Sequence, residues 1–207
     1  RNLGTFTVKV TTSRTAVVAT MTADVAIGAT SISIDTDTGW ADGDEVAVAS
    51  TTRTRGECEK GFLNGAAGAS SLTLRGFAGI GQGLAFAHSG TSPTAARVIN
   101  LTRPVRITGI DATRGMYVQF RETAIVDVEW TLFRYMGANA AEKQGVSLYT
   151  TTGSCAIRYC AAADTNTTVS VGFRAGGSAS MNNFSIRDTV AWGIGGTAFS
   201  QSVLVTA

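Results

Sequence analysis

"VDVEWTLF", residues 126–133, returns in altered letters as "CAIRYCAA" at 155–162 and "FSIRDTVA" at 184–191, so matching positions recur every 29 residues. Val128, Ile157 and Ile186 share one position of this repeat, and Glu129, Arg158 and Arg187 share the next. A second alternating segment precedes each of the first two copies, "MYVQF" from Met116 and "VSLYT" from Val146, with "VSVGF" from Val169 in the same role less regularly. Two or three strands per period, separated by glycine turns, predict one turn of a parallel β-helix per repeat. Period-two alternation puts Val126, Val128, Trp130 and Leu132 inside. Stacked repeats then bring Trp130 near Tyr159 and set Glu129 outward, between Arg106 or Thr108 of "VRITGI" (105–110) below and Arg158 above. Such a Glu/Arg contact reads as a solvated ladder worth well under ~1 kcal/mol rather than as a catalytic device.

Outside this repeat the chain is also written in short strands. "TFTVKV", "TSISID", "DEVAVAS" and "SLTLRG" alternate apolar with polar residues and are bounded by Gly, Asp or Ser. With 24 glycines and two prolines in 207 residues, tight turns between many strands are expected. "GANAAEKQG" (137–145) is too short and too glycine-bounded for more than one helical turn. The expected fold is all-β, a right-handed parallel β-helix over residues 98–207 behind a β-rich N-terminal part over 1–97. The two are read as one continuous elongated unit, excised from a longer protein because the chain starts on Arg1.

Composition narrows the function classes. Charged residues are only 15% of the chain, against roughly 25% in ordinary soluble domains, and small Ala, Thr and Ser take their place. A net charge of +2 with scattered basic residues excludes a nucleic-acid footprint. No apolar run approaches the ~18 residues of a membrane span. Cys58, Cys155 and Cys160 lack metal-ligand spacing and read as small buried side chains. On one unbent strand, Cys155 and Cys160 would face opposite sides and could not pair.

Residues 39–54, "GWADGDEVAVASTTRT", followed by "SLTLRG", "LAFAHSG" and "ARVINLTRPVRITG", resemble in order and spacing the domain named for its eight glycines, found in fibrocystin and in cell-surface hyaluronan-degrading proteins. The matching positions are Trp40, Gly43, Asp44, Val46, Val48, Ala49, Ser50, Thr51, His88, Gly90, Leu101, Thr102 and Arg103, and the resemblance covers roughly residues 28 to 137. It implies a β-helical, extracellular or surface architecture. The histidine-bearing segment of the hyaluronan-active members has no counterpart in "RYMGANAAEKQGVSLYT", because His88 is the sole histidine, and Pro104 replaces the usual asparagine after "LTR".

Among candidate groups, His88 in "AFAHSG" has the chemistry of a general base or a sugar ligand, but lacks a partner at any recognisable spacing and reads first as a structural histidine before Gly90. With Arg103 it forms the candidate carbohydrate contact. Asp35, Asp37, Asp42 and Asp44 crowd ten residues, as calcium ligands do, yet without the glycine and terminal glutamate of an EF-hand loop. Turn-forming aspartates explain the same letters, so no metal or cofactor is expected. Asp111, Asp127, Glu129 and Asp188 are the carboxylates near the repeats, and no two are placed on one face of neighbouring turns, so a glycosidase pair is not expected. Sequons at Asn100, Asn166 and Asn183 matter only in a eukaryotic secreted protein.

These readings favour a non-enzymatic structural or adhesive β-solenoid module of an extracellular or virion assembly, a fibre, tail or capsid-surface part. Its expected partners are copies of itself or other assembly subunits. The alternative is a polysaccharide-binding or polysaccharide-degrading domain acting on cell-surface glycans.

Overall fold

In the computed structural model the described residues are 4–12, 14–52, 54–111, 116–137, 145–150, 154–164, 173–175, 184–192 and 199–201. Their secondary structure is all β apart from two three-residue 3-10 turns. The chain opens with β1 (Thr5–Val8), then runs through β2 (Val18–Thr20), β3 (Ser31–Ser33), β4 (Glu45–Val48), β5 (Glu59–Leu63), β6 (Ser71–Arg75) and β7 (Arg97–Asn100). It continues with β8 (Val105–Thr108), β9 (Val118–Glu122) and β10 (Ile125–Glu129), then β11 (Thr131–Arg134), β12 (Val146–Thr150) and β13 (Cys155–Arg158). β14 (Ala161–Ala163), β15 (Phe173–Ala175), β16 (Phe184–Arg187), β17 (Val190–Trp192) and β18 (Phe199–Gln201) complete it.

Two units separate, Thr12–Thr102 and a second made of Arg1–Thr11 with Arg103–Ala207. The division differs from the expected one at 97/98. Residues 1–11 join the C-terminal unit because β1 pairs in parallel with β10, Thr5 opposite Ile125 and Val8 opposite Val128. The strand at 105–108 accordingly does not lie beneath Glu129, as the sequence suggested. It pairs with β11, Arg106 opposite Leu132, and the N-terminal strand takes the place beside β10.

The unit Thr12–Thr102 is a six-stranded antiparallel sheet in the order β2-β7-β4-β5-β6-β3. Its alternation works as expected in β6, where Leu72 and Leu74 are buried and Ser71, Thr73 and Arg75 are exposed. β4 is buried along its whole length, and Trp40, Val46, Val48, Leu63, Leu72, Leu84 and Val98 form the core. Gly61 of β5 lies so close under Phe77 that an added Cβ would sit 2.2 Å from the ring, which is why that position carries no side chain.

The second unit has three four-stranded parallel sheets, β1-β10-β13-β16, β8-β11-β14-β17 and β9-β12-β15-β18. From β8 onward the chain visits them in rotation. In the first, Val126 stands opposite Cys155 and Cys155 opposite Phe184, the 29-residue recurrence read from the letters. The second keeps that spacing from Leu132 to Ala161 to Val190. The third does not, since Val118, Val146, Phe173 and Phe199 stand in register. Here the strand expected from Val169 is described only from Phe173, and residues 169–172 lie outside the described residues, as do 138–144 of the expected loop. Val126, Val128, Trp130 and Leu132 are all buried, but so are Thr131 and Phe133.

Alternation breaks there because Trp130 turns a corner. Its φ is +48°, and the equivalent Tyr159 and Asp188 have φ of +56° and +48°. A left-handed conformation costs a non-glycine residue about 1–2 kcal/mol. Two gains offset it: the Trp130 N–H donates to Arg158 O and the Tyr159 N–H to Arg187 O, both at 3.2 Å, and the Trp130 and Tyr159 rings stack 5.0 Å apart. The same bend lets both Cys155 and Cys160 face the interior, neither of them in a disulfide.

Candidate functional site

The aspartate-rich turn folds around Asp44. Gly43 takes φ +76°, the left-handed turn that glycine allows, and the Trp40 indole N–H donates to Ala16 O at 2.7 Å. Asp44, 2% exposed, accepts from Arg14 Nε at 2.9 Å, Asn100 Nδ2 at 2.8 Å and the Ala41 N–H at 3.1 Å, and Arg14 Nη2 completes a bidentate pair. The other three aspartates turn elsewhere. Asp35 accepts the Thr20 N–H at 2.9 Å, Asp37 the Gly39 N–H at 3.2 Å and Asp42 the Gly65 N–H at 2.8 Å. Thr20's N–H, helped by the nearby Arg97 guanidinium, holds the Asp35 carboxyl below the usual carboxylate range. Among the described residues no three or more His, Cys, Asp or Glu side chains converge as metal ligands would. Asn100, the first sequon, is fully buried with its amide spent on Asp44. Asn166 and Asn183 lie outside the described residues.

His88 is also enclosed, with a side chain 0% exposed. Its Nε2 lies 2.8 Å from Glu59 Oε1 and its Nδ1 3.1 Å from Ala49 O. Glu59 Oε2 accepts the Ala85 N–H at 2.6 Å and Oε1 the Phe86 N–H at 3.0 Å. Sequence reasoning missed Glu59. The available signal was alternation, since Glu59 shares the inward side of β5 with Gly61 and Leu63. Beyond the histidine, Asp24 accepts from the Gly90 N–H at 2.8 Å and the hydroxyls of Ser89 and Thr91, bonds that lower its carboxyl below the usual range.

Arg103 belongs to the other unit and is 1% exposed. Its guanidinium lies 5.7 Å from the Trp130 ring centre and donates to Tyr159 O and, at 3.3 Å, to Cys160 O. As folded, neither His88 nor Arg103 presents a side chain to a polymer, and the two lie in different units. Cys160 is closed as well: burial pushes its thiol up to about 11. Cys58 departs from the expected buried state and is half-buried.

A cluster of partly exposed charges stands on the outward side of the β1-β10-β13-β16 sheet. Lys9 Nζ is 2.7 Å from Asp127 Oδ2. Arg158 reaches down with Nη2 to Asp127 Oδ1 at 2.7 Å and to Glu129 Oε1 at 2.6 Å, and its Nε adds a bond to Glu129 at 3.0 Å. Arg187 follows on the next strand, opposite Arg158 and exposed. Asp127 and Glu129 thus share one face, on one strand rather than on neighbouring ones. Two residues along a strand is roughly 6.6 Å, within the range that paired glycosidase carboxylates use. Arg158 bonds to both, and the arrangement acts as an interstrand ion ladder.

No family model matches the chain, the eight-glycine domain included, and no curated protein matches it. Among solved structures it is similar to the tailspike protein gp49 from Pseudomonas phage LKA1, at 12% identity and a TM-score of 0.35 over 90% of this chain and 33% of that one. The chain spans about a third of that structure's length. A likeness this loose defines neither family nor activity. Among the described residues no helix is long and apolar enough to cross a membrane.

Proposed function

We propose that β1 with residues 103–207 forms a right-handed parallel β-helix, and that the protein is a non-enzymatic structural or adhesive module of an extracellular or virion assembly, such as a fibre, tail or capsid surface. Three parallel sheets visited in rotation support the helix, and the strong preference of parallel crossover connections for one hand supports the right-handed form. The unit Thr12–Thr102 is read as a domain of the eight-glycine type, on the Trp40-to-Asp44 turn that leads into β4.

One observation carries the functional reading: the accessible acids Asp127 and Glu129 are both bonded to Arg158, so the chemistry-bearing side chains of this sheet hold its strands together. A stack of parallel strands with a low-charge surface offers self-association as its physical use. Sedimentation velocity over a concentration series tests this, and discrete oligomers are expected. A chain that stays monomeric throughout contradicts the assembly reading.

The second reading, a polysaccharide-binding or polysaccharide-degrading domain, is favoured by the outward placement of Asp127 and Glu129 on one strand. It requires Arg158 to release them to a ligand.

A further inference from the structure

The surroundings of His88 contain a constraint that no catalytic reading uses. A neutral imidazole has one N–H donor and one lone-pair acceptor. Both ring nitrogens of His88 face acceptors, Nδ1 the carbonyl of Ala49 and Nε2 the carboxyl of Glu59. With one ring proton, one of these contacts becomes acceptor against acceptor in a site closed to water. A second proton must therefore sit in the pair, on Nε2 or on Glu59.

The environment of Glu59 decides between them. Its side chain is 6% exposed, and it receives two backbone N–H groups, from Ala85 at 2.6 Å and Phe86 at 3.0 Å. Donors aimed at both oxygens, one at charge-assisted length, favour the ionised carboxylate. Among the described residues no Lys or Arg pairs with Glu59, and a buried carboxylate needs a counter-charge. The nearby titratable groups on neighbouring segments have other partners: Glu57 bonds Ser50 and Thr52, Cys58 accepts the Ser50 N–H, and Asp24 holds Ser89, Gly90 and Thr91. Among the described residues, His88 is the one group bonded to Glu59 that can carry the compensating positive charge.

We propose that His88 is held as an imidazolium, protonated on both ring nitrogens, and forms with Glu59 a buried ion pair that latches residues 85–88 onto β5 and onto Ala49 at the end of β4. The latch joins three segments distant in sequence through one side chain, which makes His88 a positioning residue. Loss of either ring proton breaks one of its two attachments.

Because His88 is the sole histidine, its ring nitrogens can be read without ambiguity in the full chain. The experiment is two-bond proton–nitrogen correlation of 15N-histidine-labelled protein at neutral pH, where a free imidazole mostly carries one ring proton. The expected result is two protonated-type nitrogen shifts. One imine-type nitrogen at Nε2 in the folded wild type overturns the proposal. Glu59→Gln supplies the second arm: without the carboxylate's charge to compensate it, the ring is expected to give up one proton and show one imine-type nitrogen. If both nitrogens stay protonated in Glu59→Gln, Glu59 does not set the charge and the ion pair is refuted. The wild-type spectrum decides the charge state even if the variant fails to fold.

Discussion

Asp44 occupies one position in a turn, yet it terminates three separate parts of the chain: Arg14, Asn100 and the turn's own Ala41 N–H. Removing one partner of a buried charge pair leaves the other charge uncompensated, a change that typically costs 3–5 kcal/mol. Asp44→Ala is therefore expected to lower unfolding stability by about 3 kcal/mol or more, read from the urea midpoint at constant slope. Asp37→Ala, at an exposed turn bond, is expected to cost less than about 1 kcal/mol. Thiol reactivity reports on the other buried positions. Cys155 and Cys160 are enclosed and the Cys160 thiol is held up at about 11, whereas Cys58 is half-buried. A thiol reagent at neutral pH should label one cysteine in the folded chain and three in denaturant, and rapid labelling of Cys160 in the native state would contradict the packing. The polar partnerships at this scale were hard to read from letters. Asp44 looked like its three neighbouring aspartates, and Glu59 and His88 lie 29 residues apart with no motif between them.

At the scale of the strand, the two sides of β13 carry different energies. Ile157 is fully buried between Val128 and Ile186, so Ile157→Ala removes buried methylenes from a stack that cannot close over them. Its expected cost is about 2–5 kcal/mol. Arg158→Ala, one residue away on the outward side, breaks the ladder to Asp127 and Glu129 at an expected cost of under about 1 kcal/mol that shrinks further in high salt. Chemical denaturation of both variants at two ionic strengths checks the contrast, and equal losses would mean that the inward/outward assignment of β13 is wrong. The repeat was legible because inward positions that stack must all be apolar, which leaves Val128, Ile157 and Ile186 visible at constant spacing. The corner at Trp130 was not. Its left-handed φ is stabilised by a ring stack and a backbone bond to the next repeat, neither of which marks tryptophan as a turn residue.

Across the whole molecule, the order of the chain and the order of the sheets disagree at one place. β1 comes before the antiparallel unit in sequence but pairs with β10 after it, an arrangement that local alternation in "TFTVKV" cannot announce. The strand's letters showed that it was a strand, and only the long-range pairing shows which unit it serves. Four of the molecule's acids are paired with basic side chains: Asp44 with Arg14, Glu59 with His88, and Asp127 and Glu129 with Arg158. That distribution is the observation on which the proposed structural role rests, and polymer cleavage is the outcome it speaks against. The direct measurement is polymer size, followed by chromatography, after incubating the chain with a panel of acidic and neutral polysaccharides beside an Asp127→Asn, Glu129→Gln double variant. Every polymer is expected to keep its size with either protein. Shortening by the wild type that disappears in the double variant would contradict the structural account and make the outward face of β10 a catalytic site.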